Sequence, residues 1–248
     1  MNSTLEDVQA AHEHGDPETV LRLTDAILAE RPGDDAAHEY RARAFLALGR
    51  LDEAERHAAD AVRLDPDEIR YRELLAQVLS TAGAHREAAA EFGRLARNDP
   101  RQTTWTVAEA RERIGASQPA MGVDAARRAV KLEPRNGHAQ LALAEAMVRT
   151  GDARGAFQAA TLATQLLPDD PAAREALADA HWLADEDAAA FAEFRALAVE
   201  LRGADRDRIL AKARALHRQH AGWLGRLVAG FAPLFAIAFP RGWLRIGR

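Results

Sequence analysis

The stretch DAAHEYRARAFLALGRLDEAERHAADAVRLDPDE, residues 35–68, decides the fold. Ala37, Ala42, Ala44, Phe45 and Leu48 recur at helical spacing, and Gly49 follows them as a terminator free to adopt positive φ. A second helical run starts at Asp52 and carries Ala54, Ala58, Ala61, Val62 and Leu64. It stops at Asp65-Pro66, because proline lacks an N–H and clashes inside a helix. Small residues at Ala54 and Ala61 let the two helices approach closely, while Phe45 and Leu64 fill the gaps. The unit is an antiparallel helix hairpin with one apolar side per helix.

The same unit recurs along the chain. Pro32, Pro66, Pro100, Pro134 and Pro168 fall every 34 residues, and Gly15, Gly49, Gly83 and Gly151 keep that period. A fixed period in this range marks stacked repeats, in which no unit buries its core alone.

These residues resemble the tetratricopeptide repeat family. The family pattern of a small residue, a large apolar residue, glycine, two alanines and a closing proline is met by Ala42, Phe45, Gly49, Ala54, Ala61 and Pro66. The next unit offers Ala76, Leu79, Gly83, Ala88, Phe92 and Pro100, and a third copy offers Leu143, Ala144, Gly151, Ala156, Ala163 and Pro168. The resemblance covers about residues 1–204 and implies an all-α, right-handed superhelical solenoid of antiparallel helix pairs, with five to six repeats.

Departures from the pattern mark individual units. Ser117 stands where glycine is expected, Gly122 replaces an alanine and Arg113 takes the large apolar place, so the fourth unit is expected to be looser or bent. The sixth unit, from Pro171, keeps Leu177, Ala178, Ala190, Phe194 and Leu197 but has Asp185 at the glycine place and no closing proline. In the first unit only the second helix is well marked, by Asp16 as N-cap and Pro17 at the first helical position.

Composition narrows the function classes. The chain of 248 residues has no cysteine, which excludes a disulfide framework, a thiolate zinc site and a cysteine nucleophile. The opening Met1-Asn2-Ser3-Thr4-Leu5-Glu6-Asp7 has neither a basic start nor an apolar run, so no secretory signal is read and a cytoplasmic location is expected. Only Lys131 and Lys212 are lysine among the basic residues, which with the alanine load suggests a GC-rich bacterial genome.

Charge is unevenly divided. Residues 202–248 carry +8, which leaves −13 on the other 201 residues of a chain whose net charge is −5. An acidic solenoid with a basic tail argues against nucleic acid along the solenoid and directs the tail toward anionic surfaces.

Within the tail the pattern changes midway. From Asp205 a basic amphipathic helix is expected over 205–222, with Ile209, Leu210, Ala213 and Leu216 on its apolar stripe. Over 223–248 follows an uncharged run, Leu227 to Phe239, broken by Pro233 and bracketed by Trp223 and Trp243. Thirteen apolar residues fall short of the ~20 that a spanning helix needs. Basic flanks on both sides suit an element lying at one surface. Trp223, Arg226, Phe231, Phe235, Phe239, Arg241, Trp243 and Arg245 are therefore read as membrane-associating, peripheral at the inner face. A full span, with Arg226 snorkelling, is a second reading. The third is a tail that packs on its own solenoid or on a second copy, as terminal repeats need a cover.

No residue pattern points to catalysis, a cofactor or a small-molecule substrate. There is no glycine-rich phosphate loop, no H-E-x-x-H and no G-x-S-x-G. His12 and His14 fall on different helix faces, His217 and His220 lack a third ligand, and all nine histidines are read as solvated or interfacial, so no metal is expected. Asp34-Asp35 and Asp169-Asp170 sit at helix starts as caps.

The resemblance further implies that the first helix of each repeat lines a concave groove holding a partner peptide. Mapped here, the groove includes Arg43, Arg70, Glu73, Gln77, Arg111, Leu141, Glu145, Arg149, Asp179 and Trp182. Trp182 and the arginines are the residue types that dominate interface energetics. The asparagine and lysine pattern by which some members hold a C-terminal carboxylate is absent. The sequence thus reads as a non-enzymatic adaptor or scaffold for a protein or peptide partner, docked on a membrane, with a soluble or self-associating scaffold as the alternative.

Overall fold

In the computed structural model, which describes residues 4–218, the 34-residue beat becomes a row of helix hairpins. The helices are α1 Leu5–Glu13, α2 Pro17–Glu30, α3 Asp35–Ala47, α4 Leu51–Leu64, α5 Ile69–Thr81 and α6 His85–Asn98. They continue as α7 Thr103–Gly115, α8 Pro119–Leu132, α9 Gly137–Thr150, α10 Ala153–Leu166, α11 Pro171–Leu183 and α12 Asp187–Glu200. Residues 203–218 form α13. No strand occurs among the described residues.

Each hairpin turns through one residue in the left-handed region. Gly15, Gly49, Gly83 and Gly151 have φ of 68°, 70°, 74° and 83°. The residue after each donates its N–H to the carbonyl five places earlier, as in Arg50 to Phe45 at 2.9 Å and Asp152 to Met147 at 3.0 Å. This satisfies carbonyls that the ending helix would otherwise orphan.

Ser117 and Asp185 occupy the same place with φ of 58° and 59°. Their turns close with the same bond, Gln118 to Arg113 at 2.8 Å and Glu186 to His181 at 2.9 Å. The fourth hairpin is therefore not loosened at its turn, contrary to the sequence expectation. Its other departures are mutually compensating. A Cβ at Gly122 would stand 3.1 Å from Ile114 Cγ1 and 3.2 Å from the Ala110 carbonyl, so the missing methyl makes room for Ile114. Arg113 pairs with Glu109 at 3.7 Å and donates to Gln118 Oε1 at 2.9 Å.

Helix starts follow the aspartates. Asp16, Asp34, Asp152 and Asp170 each accept a backbone N–H of the first turn, and Asn136 does the same for α9. One member of each carboxylate pair beside the prolines, Asp34 and Asp170, is thereby a cap. Asp35, the second member of one pair, accepts from the Tyr71 hydroxyl at 2.9 Å and ties α3 to α5.

Packing rests on columns of alanine. Ala42, Ala76, Ala110, Ala144 and Ala178, one in each repeat after the first, are all fully buried, as are Ala54, Ala88, Ala156 and Ala190 on the partner helices. A methyl side chain lets helix backbones approach closely without leaving a void. Consecutive odd helices pack on each other at α1–α3, α3–α5, α7–α9 and α9–α11, whereas no comparable even–even packing occurs among the described residues. The solenoid therefore curves toward its odd helices, which line the inner face. At α5–α7 this packing is interrupted. The irregularity of the fourth unit appears there, between repeats, and not inside its hairpin.

The last hairpin is covered by α13. Ile209, Ala213 and Leu216 are buried in one cluster with Phe194, Leu197 and Ala198. The helix begins at 203, two residues ahead of the beat, where the sequence pattern placed its start at 205.

Two stability predictions follow from the turns and the alanine columns. Ala61 and Ala163 are fully buried, so Ala61→Leu or Ala163→Leu should cost about 1–3 kcal/mol by overpacking. Ser117→Gly and Asp185→Gly should each raise stability by roughly 0.5–1 kcal/mol, since the left-handed conformation strains a residue with a Cβ. Denaturant midpoints of the four variants check both signs.

Candidate functional site

The inner face divides into two parts with different electrostatics. Toward the N-terminus it is organised around Glu39, which is 3% exposed. Arg43 donates to its Oε1 from two nitrogens at 2.9 and 3.0 Å, and Arg70 approaches Oε2 at 3.5 Å. Arg70 also stacks over Tyr71, and its distance to Glu68 is 3.7 Å. Oε2 of Glu39 has no hydrogen bond within the protein. The two arginines therefore hold a buried carboxylate whose exposure to a neutral surrounding would be costly. Next along the face, Glu73 accepts from Trp105 Nε1 at 3.3 Å, and Gln77 is exposed.

Toward the C-terminus the face opens into two cavities, one of them lined by Arg111 and the other by Arg149. One, of about 340 Å³, sits where α5–α7 packing is interrupted, with Phe92, Val107 and Ala108 as apolar wall and Arg111 and His138 beside it. The other, of about 420 Å³, has a floor of Ile114, Val148, Ala172 and Ala176. Its walls bring together Glu145, Arg149, Glu175 and Asp179, with Arg208 and Lys212 reaching in from α13.

Cations from α13 are committed to these acids. Lys212 Nζ lies 2.5 Å from Asp179 Oδ2 and 2.8 Å from Glu175 Oε1, and Arg208 pairs with Glu175. Burial nevertheless raises the Asp179 carboxyl above its usual range, outweighing the Lys212 ammonium. Burial likewise raises Glu145, with the Arg111 and Arg149 charges opposing it and Glu175 and Asp170 reinforcing it. Arg111 and Arg149 are exposed, and neither forms an ion pair among the described residues.

Of the residues mapped from the sequence, the structure thus gathers Glu145, Arg149 and Asp179 around one cavity and places Arg111 at the other. Arg43 and Arg70 lie on the same face but hold Glu39. Leu141 is buried in the core, and Trp182 packs edge-on against Phe194 beneath the terminal cap, with ring centroids 6.2 Å apart. Trp223, Arg226, Phe231, Phe235, Phe239, Arg241, Trp243 and Arg245 lie outside the described residues.

One cluster was not anticipated. His38, His57 and Asp60 offer one atom each within 4.8 Å of one another, a spacing a metal ion could bridge, and His38 is buried where a solvated histidine was expected. Hydrogen bonding argues against ligation. Arg41 Nε donates to His57 Nε2 at 3.1 Å, so the ring proton sits on Nδ1 and is donated to His38 Nδ1 at 2.9 Å. His38 then donates from Nε2 to the Pro32 carbonyl at 3.1 Å. Binding a metal through both Nδ1 atoms would put the His57 proton on Nε2, against the Arg41 N–H.

Equivalent places in other repeats confirm a structural role. Arg72 donates to the Pro66 carbonyl at 3.2 Å and pairs with Glu91 at 2.9 Å, and Gln140 donates to the Pro134 carbonyl at 3.0 Å. Arg174 approaches Glu193 at 3.7 Å. At His38 and Arg72 the position clasps both the partner helix and the loop proline, while Gln140 keeps only the bond to the proline carbonyl and Arg174 only the pairing with the partner helix. The signal was present in the sequence as polar residues paired 19 apart, but it becomes readable only once the hairpin register is known.

A second polar cluster has the composition of a catalytic group without its order. Glu112 accepts from Ser80 Oγ at 2.6 Å and lies 2.7 Å from His85 Nδ1. The carboxylate stands between the other two, so no histidine contacts the serine, and the cluster ties α5 and α6 to α7.

Residues 11–78 match the tetratricopeptide repeat family. No curated protein sequence matches the chain. Among solved structures, a tetratricopeptide repeat protein from Parabacteroides merdae is similar over 96% of this chain and 93% of its own, at 15% identity and a TM-score of 0.74. MamA from Desulfovibrio magneticus is similar over 66% of this chain and 92% of its own, at 20% identity and a TM-score of 0.59. YrrB, described as a tetratricopeptide repeat protein with an unusual peptide-binding site, covers 70% of this chain with 90% of its own, at 15% identity and a TM-score of 0.54.

The clasp generates a pH prediction. Burial, then the Arg41 and His38 charges, lower the His57 pKa from 6.5 to about 4. The folded state then binds fewer protons than the unfolded chain, so this contribution is complete above pH 6.5 and is lost as pH falls toward 4. Glu145 and Asp179, with raised values, act in the opposite sense as pH rises through the carboxylate range. The difference between wild type and His57→Gln therefore isolates the histidine, and the variant should lose less stability between pH 7 and 4.5 in urea melts.

The register of left-handed turns, the alanine columns and the match over residues 11–78 lead to one assignment: the described chain has the fold of tetratricopeptide-repeat proteins, and residues 11–78 match that family itself.

Proposed function

We propose that the protein is a non-enzymatic adaptor that holds an extended segment of a partner protein on the inner face of α7, α9 and α11. Arg111 lines one cavity of this face and Arg149 the other, and neither forms an ion pair among the described residues. That observation carries the reading. Apolar floors can take partner side chains, and guanidinium groups can bind carboxylates or carbonyls between them in planar, bidentate geometry. YrrB, which shares the fold, is described as having a peptide-binding site, and a peptide is the class of partner proposed here.

The basic C-terminal part carries the second half of the proposal, that the adaptor is peripheral at the cytoplasmic face of a membrane. Its support is the +8 charge over residues 202–248 and the apolar run 227–239 between two tryptophans. Among the described residues no helix is long and apolar enough to cross a membrane.

Arg111→Ala combined with Arg149→Ala should reduce the amount of a partner that co-purifies with the full chain by tenfold or more while leaving helicity unchanged. Arg43→Ala is the contrasting variant. It should cost about 1–3 kcal/mol of stability by baring Glu39 and so is no clean test of binding. A partner retained by the double variant and lost on changing residues of the even helices would overturn the groove assignment.

A further inference from the structure

We propose a second surface on the described part of the chain, a cleft between α12 and α13 that docks on an anionic phospholipid bilayer. The inference rests on the membrane reading above and moves part of the contact from the tail to the folded solenoid. The cleft has a volume of about 520 Å³. Phe191, Leu210 and Ala213 form its floor, and Arg195, Arg214 and Arg218 stand around it. Among the described residues, no acidic one lines it.

The geometry of α13 explains why these arginines are available. At about 100° per residue, its side chains fall into three sectors. Arg208 and Lys212 face the groove and are spent on Glu175 and Asp179. Ile209 and Leu216 face the core. Leu210, Arg214, His217 and Arg218 occupy the third sector, on the cleft. Arg195 reaches the same place from α12, with its guanidinium 5.9 Å from the Phe191 ring. Arg195, Arg214 and Arg218 form no ion pair among the described residues.

Charge selects the occupant. The chain's own apolar run is flanked by Arg226, Arg241, Arg245 and Arg248, with no acidic residue after position 218, so packing it into this cleft would set like charge on like. The same holds for a second copy that offers this cleft face to face. An anionic bilayer complements the cleft and the tail together, with arginines at the phosphates and the apolar floor toward the acyl boundary.

The test uses the full chain in three forms: wild type, a cleft variant (Arg195→Glu, Arg214→Glu, Arg218→Glu) and a tail variant (Phe231→Asp, Phe235→Asp, Phe239→Asp). Sedimentation is measured with vesicles of phosphatidylcholine alone and with added phosphatidylglycerol. The cleft variant should weaken binding to the acidic vesicles by on the order of tenfold or more, with unchanged circular dichroism. Because the chain has no cysteine, His217→Cys can carry a polarity-sensitive fluorophore at one site, and its emission should shift to the blue on acidic vesicles only. If wild type ignores acidic vesicles, the membrane reading itself fails and this inference with it. If wild type binds and the tail variant does not, while the cleft variant binds as wild type, the inference is overturned and the tail reading stands. A fluorophore already blue-shifted without vesicles would place the chain's own tail or another copy in the cleft, which also overturns it.

Discussion

One left-handed residue at each hairpin turn sets everything else in this molecule. It fixes where the first helix of a repeat stops and, through the hydrogen bond back to the carbonyl five residues earlier, the direction in which the second departs. Because these residues lie 34 apart, the hairpins are near copies, and buried alanines recur at equivalent places in most of them. Stability is then distributed along neighbours, with no single large core, and the end of the row needs a cover. Ile209, Ala213 and Leu216 of α13 provide it.

Regular packing leaves limited places for polar side chains, and the chain uses them in two ways. Some are structural. The clasp that joins His38 to His57 and the Pro32 carbonyl recurs as Arg72 with Glu91 and Pro66, and the buried Glu39 binds both neighbouring arginines of its face. Others form no direct ion pair, and Arg111 and Arg149 are the clearest, one beside the cavity between α5 and α7 and the other beside the cavity walled by α9 and α11. Residue type alone does not separate the two uses. Arg43 and Arg111 are equivalent by period, yet one is hydrogen-bonded to a buried carboxylate and the other acts on Glu145 only through its charge, without a direct ion pair among the described residues.

This is why the fold was legible in the sequence and the site was only partly so. Glycine, proline and alanine report backbone geometry directly, so their period gives the hairpins, their turns and their buried columns. Ser117 and Asp185 show the limit of that reading, because a strong enough context imposes the left-handed turn on residues that do not prefer it. Surface arginines carry no such information. Whether each is spent depends on a carboxylate that arrives from another helix, as Glu39 does for Arg70 and Glu175 for Arg208. The His38–His57 pair was missed for the same reason, since its members lie on different helices of one hairpin.

The division of charge acquires a mechanical sense from α13. Its sequence, basic on two sides and apolar on a third, looks like a single amphipathic helix, but the fold gives each side a separate task. Arg208 and Lys212 neutralise the acids at the end of the groove, which leaves that stretch able to accept a partner without carrying its full negative charge. Arg214 and Arg218 remain outside, on the face turned away from the groove. A partner held on the inner face and a surface bound by the outer one would therefore not compete for the same cations. The apolar side of α13 between them, anchored on Phe194 and Leu197, keeps the two faces at a fixed angle.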